Sequence, residues 1–293
     1  MKQPITLSVV GGDTRNLYMA QALAESGCAV TLRGFETFGG DLPAQAEESL
    51  AAALARDAVV LPLPCTKNGK TLNAPFSQEE IPLRELAALI RPGSTVFAGM
   101  VSDSFRKMLE AGGARVLDYY RDESLTVKNA LLTAEGVVGI IIDKTPVTVW
   151  RMKAAVTGYG RVGTFVGRLL KALGAEVTVY ARSPVQRAKA EAAGLNALPL
   201  SLLAEQTHRF DVIVNTIPAP VLGEDAVRNT QKDCLMVETA SAPYGMDFDA
   251  CRARGIELVK AFSLPGRTAP KTAGILIADT ITGMMKEANL WNP

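Results

Sequence analysis

The sequence predicts an α/β protein made of two doubly wound parallel-sheet domains joined by long helices. Three observations support this. Strand-like runs alternate with helical stretches through both halves of the chain. The runs are rich in Val, Ile and Leu and lack strict polar alternation, as expected of strands buried on both faces. The length of 293 residues suggests two domains, each long enough to bury its own core.

In the first half, strands are read at ITLSVVGG, CAVTLRGF, AVVLPLP, STVFAGM and ARVLDYY, with helices over 14–26, 43–55, 82–90 and 103–111. A longer helical stretch runs from about Glu123 to Asp143, and Pro146 marks its exit. Its segment NALLTAEGVVGIII reads as a helix buried between domains. In the second half, KAAVTG, AEVTVYA, DVIVNTI, CLMVETA and IELVKAF read as strands, with helices over 161–173 and 184–193. The last stretch reads as a long helix from about Pro270. Its Ile275, Leu276, Ile277, Ile281, Met284 and Met285 are expected to cover one broad apolar face.

Composition narrows the function classes. With 31 basic and 30 acidic residues, the formal net charge is +1, so no whole-protein field attracts nucleic acid or an anionic membrane. Any anion site is therefore local. Cys28, Cys65, Cys234 and Cys251 are widely spaced without a CxxC pair, which predicts free thiols in a reducing compartment and no disulfide framework. No His/Cys/Glu cluster points to a metal. No window holds 18 uninterrupted apolar residues, and the start does not read as a secretory leader, so the expectation is a soluble, cytoplasmic protein.

The clearest chemical signal is GYGRVG, residues 158–163, set between a strand and a helix. Gly158 permits the tight turn, Gly160 lets the backbone approach a pyrophosphate, and Gly163 lets the helix pack closely on the strand. Helix-start amides then face the phosphates. This is a Rossmann-like dinucleotide site, with Tyr159, Arg161 and Val162 in the same loop. An NAD site normally carries Asp or Glu at the end of the following strand. That strand here ends VTVYARS, without a carboxylate. Arg182 and Ser183 suit a 2′-phosphate, so NADP is the expected cofactor. Asn215, Thr216 and Ile217 in NTIPAP are placed on the nicotinamide side, and TASAP brings Ser241 to the same edge.

The domain boundaries follow. Residues 1–125 with a C-terminal helix of about 272–293 form a flavodoxin- or Rossmann-like substrate domain, and residues 126–271 bind the dinucleotide. In the first domain, GGDTRN at 11–16 lacks the third glycine and reads as a loop for a small anion. Asp13 and Thr14 can cap the helix that follows. Arg15 is expected to pair with a substrate carboxylate. Lys128, Arg267 and Lys271 are further cations, the last two in SLPGRTAPKTAG, which reads as an ordered loop where the domains cross. Thr133 and Glu135 on the connecting helix are candidates for the same cleft. The single histidine, His208, precedes a strand and is expected at the surface, which argues against a histidine-based hydride partner.

The segments VVGGDTRNLYMAQALAESG, GFE, NALLTAEGVVG, VTGYGRVG, YARS, NTIPAPVL and LPGRTAPKTAG together resemble the dipicolinate synthase A family, in the same order along nearly the whole chain. The sequence departs from that pattern at Leu131–Leu132, where the family often has Ile-Pro. It also departs at Glu238, where the family has aspartate, and at Pro243–Tyr244–Gly245, where it has Pro-Gly-Gly. The resemblance implies oxidation of dihydrodipicolinate to dipicolinate with NADP+ as hydride acceptor, in the mother cell of a sporulating bacterium. It implies a partner, a flavoprotein-like B subunit. The expected partner set is a small dicarboxylate substrate, further copies of this chain in a homo-oligomer and that B subunit, with no nucleic acid and no membrane. Cations from both domains are expected to clamp the two carboxylates, with Glu135, a threonine hydroxyl or water taking the proton. The alternatives are an NADP-linked 2-hydroxy-acid or amino-acid dehydrogenase, and a non-catalytic NADPH-binding regulatory subunit.

Overall fold

The computed structural model describes residues 5–290; the parts of the predicted first domain at 1–4 and 291–293 lie outside them. The chain divides into two compact units, residues 1–128 with 269–293, and residues 129–268.

In the first unit, β1 (Thr6–Val10), α1 (Thr14–Glu25), β2 (Ala29–Arg33), β3 (Gln45–Ala46), α2 (Leu50–Leu54), β4 (Ala58–Val60), α3 (Leu83–Leu89), β5 (Thr95–Ala98), α4 (Asp103–Ala111) and β6 (Arg115–Asp118) follow in order. The strands form one parallel sheet in the order β3-β2-β1-β4-β5-β6. The chain then enters α5 (Glu123–Lys144), which crosses from the first unit into the second.

The second unit continues with β7 (Lys153–Thr157), α6 (Arg161–Ala172), β8 (Glu176–Ala181), α7 (Pro184–Ala192), β9 (Asn196–Pro199), α8 (Leu203–Gln206), β10 (Val212–Asn215), α9 (Glu224–Asn229), β11 (Leu235–Glu238), α10 (Phe248–Arg254), β12 (Leu258–Lys260) and α11 (Leu264–Thr268). Its sheet is also parallel, in the order β12-β11-β10-β7-β8-β9. The last helix, α12 (Pro270–Glu287), belongs to the first unit.

Both sheets are buried on both faces, which is why their strands lack polar alternation. On β10, Val212 and Val214 enter one apolar cluster while Ile213 enters another. On β1, Leu7 and Val9 face α1 and α12, while Val10 faces the cluster that contains α2, α3 and α4 residues. Each such aliphatic side chain contributes about 1.5–3 kcal/mol when fully buried.

α12 packs along α1. Ile277, Ile281 and Met285 are buried against Leu17, Met19 and Ala20. The approach is close because residue 274 is glycine: a Cβ there would lie 2.8 Å from Tyr18 Cβ and 2.9 Å from Met19 N. Ile275, expected on this face, is instead exposed. α5 is apolar enough in length and composition to suit a membrane span, with a mean hydropathy of 1.6. Its Leu125 is buried in the first unit, and Ala134, Val137 and Ile141 in the core of the second.

The structure corrects four local expectations. The 43–55 helix is short, because residues 45–46 add an edge strand and Ser49 caps the helix by accepting from Ala52 N at 3.2 Å. Residues 196–199 form a strand that the sequence reading lacked. Helices α8, α9 and α10 fill the connections around β10 and β11. The SLPGRTAPKTAG stretch is mostly helical, as α11 and the start of α12.

Candidate functional site

In a doubly wound sheet, ligands bind at the carboxyl edge where strand order reverses. In the second sheet this edge lies between β7 and β10. The glycine loop leaves β7 there. Gly158 has φ +77°, a conformation that side chains rarely adopt, and its N–H donates to Tyr180 O at 2.8 Å. A Cβ on Gly163 would press into the Gly158 carbonyl, so only glycine lets α6 start this close to the strand. A Cβ on Gly160 would meet nothing within 4 Å, which leaves open space at the helix N-cap where a pyrophosphate would approach.

A cavity of about 480 Å³ opens from this loop. Gly158, Gly160, Arg161, Val162, Arg182, Ser183, Thr216 and Ile217 line it, so the structure brings eight of the expected cofactor residues together. Two arginines and no carboxylate are among the lining residues. Arg182 is exposed at the end of β8. Ser183 is the N-cap of α7, with Pro184 following; its oxygen accepts from Gln186 N at 3.4 Å, so its hydroxyl proton remains to be donated to a ligand.

Two lining residues were missed from sequence, Gln186 and Pro218. The signal for Gln186 is the Ser-x-x-Gln spacing of 183–186, the pattern of a capping box. Here Gln186 does not complete the box: its Oε1 accepts from Tyr159 N at 3.4 Å, tying α7 to the glycine loop. Arg187 was also missed. Its Nη1 donates to Ala181 O and Arg182 O, both at 2.9 Å, and so holds the end of β8.

Four expected cofactor residues lie off the pocket surface. Tyr159 offers its backbone to the loop, while its ring is buried in the apolar core. Burial pushes its phenol pKa up, with Arg168 opposing. Gly163 lies buried beneath the loop. Asn215 is fully buried under it. Ser241 is exposed on the loop after β11, where its carbonyl accepts from Tyr244 N at 3.0 Å.

Beneath the pocket runs a polar ladder across three neighbouring strands. Thr157, Asn215 and Glu238 are register partners on β7, β10 and β11. The Thr157 hydroxyl donates to Asn215 Oδ1. Asn215 Nδ2 donates to Glu238 Oε1 at 2.7 Å. Thr216 reaches back, its hydroxyl donating to Thr157 O at 2.6 Å. Glu238 was not singled out from sequence as a site residue; a charged residue closing the apolar run CLMV is the signal that marks it.

In the first unit, Gly11 and Gly12 leave β1 with positive φ, and Asp13 caps α1 by accepting from Arg15 N at 3.1 Å. Arg15 is buried, but its forked edge is engaged within the protein. Nε and Nη2 donate to the two oxygens of Asp13 at 2.9 and 2.8 Å, and Nη2 also donates to Leu63 O at 2.7 Å. Nε and Nη2 are thus committed within the protein, so a substrate carboxylate expected at Arg15 would have to be met by Nη1. Burial lowers the guanidinium pKa, but pairing with Asp13 outweighs it and leaves the pKa raised.

The remaining candidates are scattered. Thr133 is half-buried on α5 and donates to Asn129 O at 2.9 Å, while Glu135 is exposed two residues on. Neither lines the dinucleotide pocket. Lys128, Arg267 and Lys271 are exposed, on α5, α11 and the first turn of α12. His208 is exposed in a short turn after α8 and does not line the pocket.

Comparison with known proteins agrees with this geometry. Residues 6–120 match the family described as the N-terminal domain of the A component of dipicolinate synthase. Residues 143–243 match D-isomer specific 2-hydroxyacid dehydrogenase, NAD binding domain, the segment that carries the glycine loop and the β8 end. The chain is 29% identical to the dipicolinate synthase A polypeptide of Bacillus subtilis (strain 168), covering 97% of this chain and 96% of that one. The crystal structure of the dipicolinate synthase A polypeptide from Bacillus halodurans aligns with a TM-score of 0.86 and 28% identity, over 96% of this chain and 97% of that one. The corresponding crystal structure from Bacillus subtilis aligns with a TM-score of 0.85 and 27% identity, over 99% and 98%. The dehydrogenase-type nucleotide domain marks the chain as an oxidoreductase that takes a nicotinamide cofactor. With two six-stranded parallel sheets and a glycine loop at the switch point of the second, the chain resembles the dipicolinate synthase A polypeptides along nearly its whole length.

Proposed function

We propose that this chain oxidises dihydrodipicolinate to dipicolinate with NADP+ as the acceptor, in the cytoplasm of the mother cell of a sporulating bacterium. The observation that supports NADP over NAD is the lining of the second-unit pocket: Arg161, Arg182 and Ser183 without a carboxylate. A carboxylate at the β8 end would repel a 2′-phosphate, whereas a guanidinium and a hydroxyl bind it. The substrate assignment rests on likeness to relatives named as dipicolinate synthase A.

The bound nicotinamide supplies a hydride acceptor. The residues of this chain supply binding and orientation. The α6 N-terminus and Gly160 receive the pyrophosphate, Arg182 and Ser183 the 2′-phosphate, and Thr216 and Ile217 the pocket wall beside the glycine loop. The substrate loses a hydride from one ring carbon and a proton from its neighbour. Aromatisation supplies much of the driving force, so a weak acceptor such as water, the Thr133 hydroxyl or the Glu135 carboxylate suffices. Arg267 and Lys271 are assigned to the substrate carboxylates; both are exposed, and neither side chain has a hydrogen bond or ion pair among the described residues. A flavoprotein-like B subunit is the proposed partner, in keeping with relatives named as one component of a synthase, and the chain itself is proposed to form a homo-oligomer.

A 2-hydroxy-acid dehydrogenase reading has one supporting observation, the match of residues 143–243. Enzymes of that type commonly use a histidine acid-base, and the sole histidine here is His208, in an exposed turn. The deciding experiment follows nicotinamide absorbance with enzymatically generated dihydrodipicolinate and NADP+, with and without the partner subunit. NADPH production supports the proposal; none under either condition rejects it.

A further inference from the structure

We infer that Glu238 is a positioning residue of the dinucleotide site, acting through Asn215 on the segment that walls the pocket. The inference rests on the nicotinamide-cofactor reading of that pocket and does not depend on which nicotinamide dinucleotide it takes.

Glu238 is completely buried, and no ion pair to it is formed among the described residues. Its carboxylate instead accepts four N–H groups. Oε1 accepts from Asn215 Nδ2 at 2.7 Å and from Ala240 N at 2.9 Å. Oε2 accepts from Gly245 N at 2.8 Å and from Met246 N at 3.0 Å. A buried carboxylate is tolerated when its lone pairs are matched this way, and all four partners here are donors. The group therefore does two things. It closes the 240–246 turn after β11, and it orients the Asn215 carboxamide.

Asn215 transmits that orientation. Its Nδ2 also donates to Ile217 O at 3.0 Å, and its Oδ1 accepts from Ile217 N at 3.1 Å. The backbone of Ile217 is thus gripped at both polar groups by one side chain. Ile217 and Thr216 line the pocket and close on the glycine loop: a Cβ on Gly158 would lie 3.0 Å from Ile217 Cγ1 and from Thr216 Oγ1. The far side of the grip is equally tight, since a Cβ on Gly245 would lie 2.7 Å from Asn215 Cγ. No slack exists for Asn215 to turn without moving either the turn or the pocket wall.

The test uses the full chain and two variants, Glu238→Gln and Gly245→Ala. Glutamine keeps the shape, but in either amide orientation its NH2 faces N–H donors. Alanine at 245 keeps the carboxylate and displaces Asn215. Affinities for NADPH and NADH are measured by fluorescence titration, together with the melting temperature with and without nucleotide. Expected is a loss of about ten-fold or more in affinity for both nucleotides, with a smaller nucleotide-induced rise in melting temperature. A purely structural role lowers the melting temperature of the free protein and leaves the affinities of the folded variants unchanged, which overturns the inference. If Glu238→Gln does not fold, Gly245→Ala decides alone: weakened affinity supports the inference and unchanged affinity overturns it. If the wild-type chain binds neither nucleotide, the cofactor reading falls and the positioning role falls with it.

Discussion

Arg15 and Asp13 form a two-pronged ion pair at the start of α1, with Nε 2.9 Å from Oδ1 and Nη2 2.8 Å from Oδ2. The same carboxylate caps the helix. Two functions therefore meet in one side chain, and they can be separated. Asp13→Ser keeps a capping oxygen and removes the partner of a buried guanidinium. It is expected to cost about 2–3 kcal/mol, below the range for a fully buried pair because Asp13 is partly exposed. Asp13→Ala should cost about 1 kcal/mol more, through the lost cap. Urea denaturation checks both, and a serine variant as stable as wild type would contradict the pairing argument.

Arg182→Asp places a carboxylate where the proposed 2′-phosphate sits. NADP+ affinity is expected to fall by about 100-fold, with NAD+ affinity changed no more than a few-fold. Titration with each nucleotide measures this. Equal affinities before and after the change would remove Arg182 from the site. The contrast with Glu238→Gln, expected to weaken both nucleotides, separates phosphate recognition from loop positioning.

Gly163→Ala tests the close approach of α6 to β7. Alanine gains about 1 kcal/mol of helix propensity over glycine. Against this, its Cβ meets the Gly158 carbonyl, which is backbone and cannot swing aside. Overpacking of this type costs about 1–3 kcal/mol. The expected result is a net loss of stability with weakened nucleotide binding, since the strained loop is the one proposed to receive the pyrophosphate. A variant with raised melting temperature and intact affinity would refute this account.

At the α1–α12 crossing, Gly274→Val sets a branched side chain against Tyr18 Cβ and Met19 N. Loss of about 3 kcal/mol or more is expected, because neither contact atom is the end of a flexible chain. Limited proteolysis should then cut α12 free more readily. Unchanged resistance to protease would argue that the two helices separate without cost.

The cysteines predict the alkaline behaviour. Burial pushes the Cys65 and Cys234 thiols up to about 12 and Cys251 to about 11, from an ordinary value of 9.0. A raised folded pKa means that the unfolded chain loses these protons first as pH rises. Their stabilising contribution is complete below about pH 9 and declines above it. Denaturant midpoints at pH 8 and pH 10 should show the fall. At pH 8 these three thiols should resist alkylation until the chain is unfolded.

How far the sequence carried this reading depends on the range of the physics involved. Alternating apolar runs and helical stretches are local, so the two parallel sheets and most helix limits were legible. α4, for example, spans Asp103–Ala111, as read. Short edge elements were not: β3 and β9 have two and four residues and lean on neighbours rather than on their own pattern. The glycine spacing of 158–163 and the missing carboxylate after VTVYA were also readable, because backbone freedom and charge are properties of single positions.

Tertiary structure alone decided how each polar group is used. Sequence presents Arg15 as a free cation, Gln186 as half of a capping box and Glu238 as a strand-end charge. The fold engages Arg15 with Asp13 and Leu63 O, turns Gln186 to Tyr159 N, and buries Glu238 among four donors. The reason is that a buried hydrogen bond depends on which donor and acceptor the packed chain brings within about 3 Å. That choice is settled by strand register and loop closure, whereas residue type and spacing along the chain settle only which elements form.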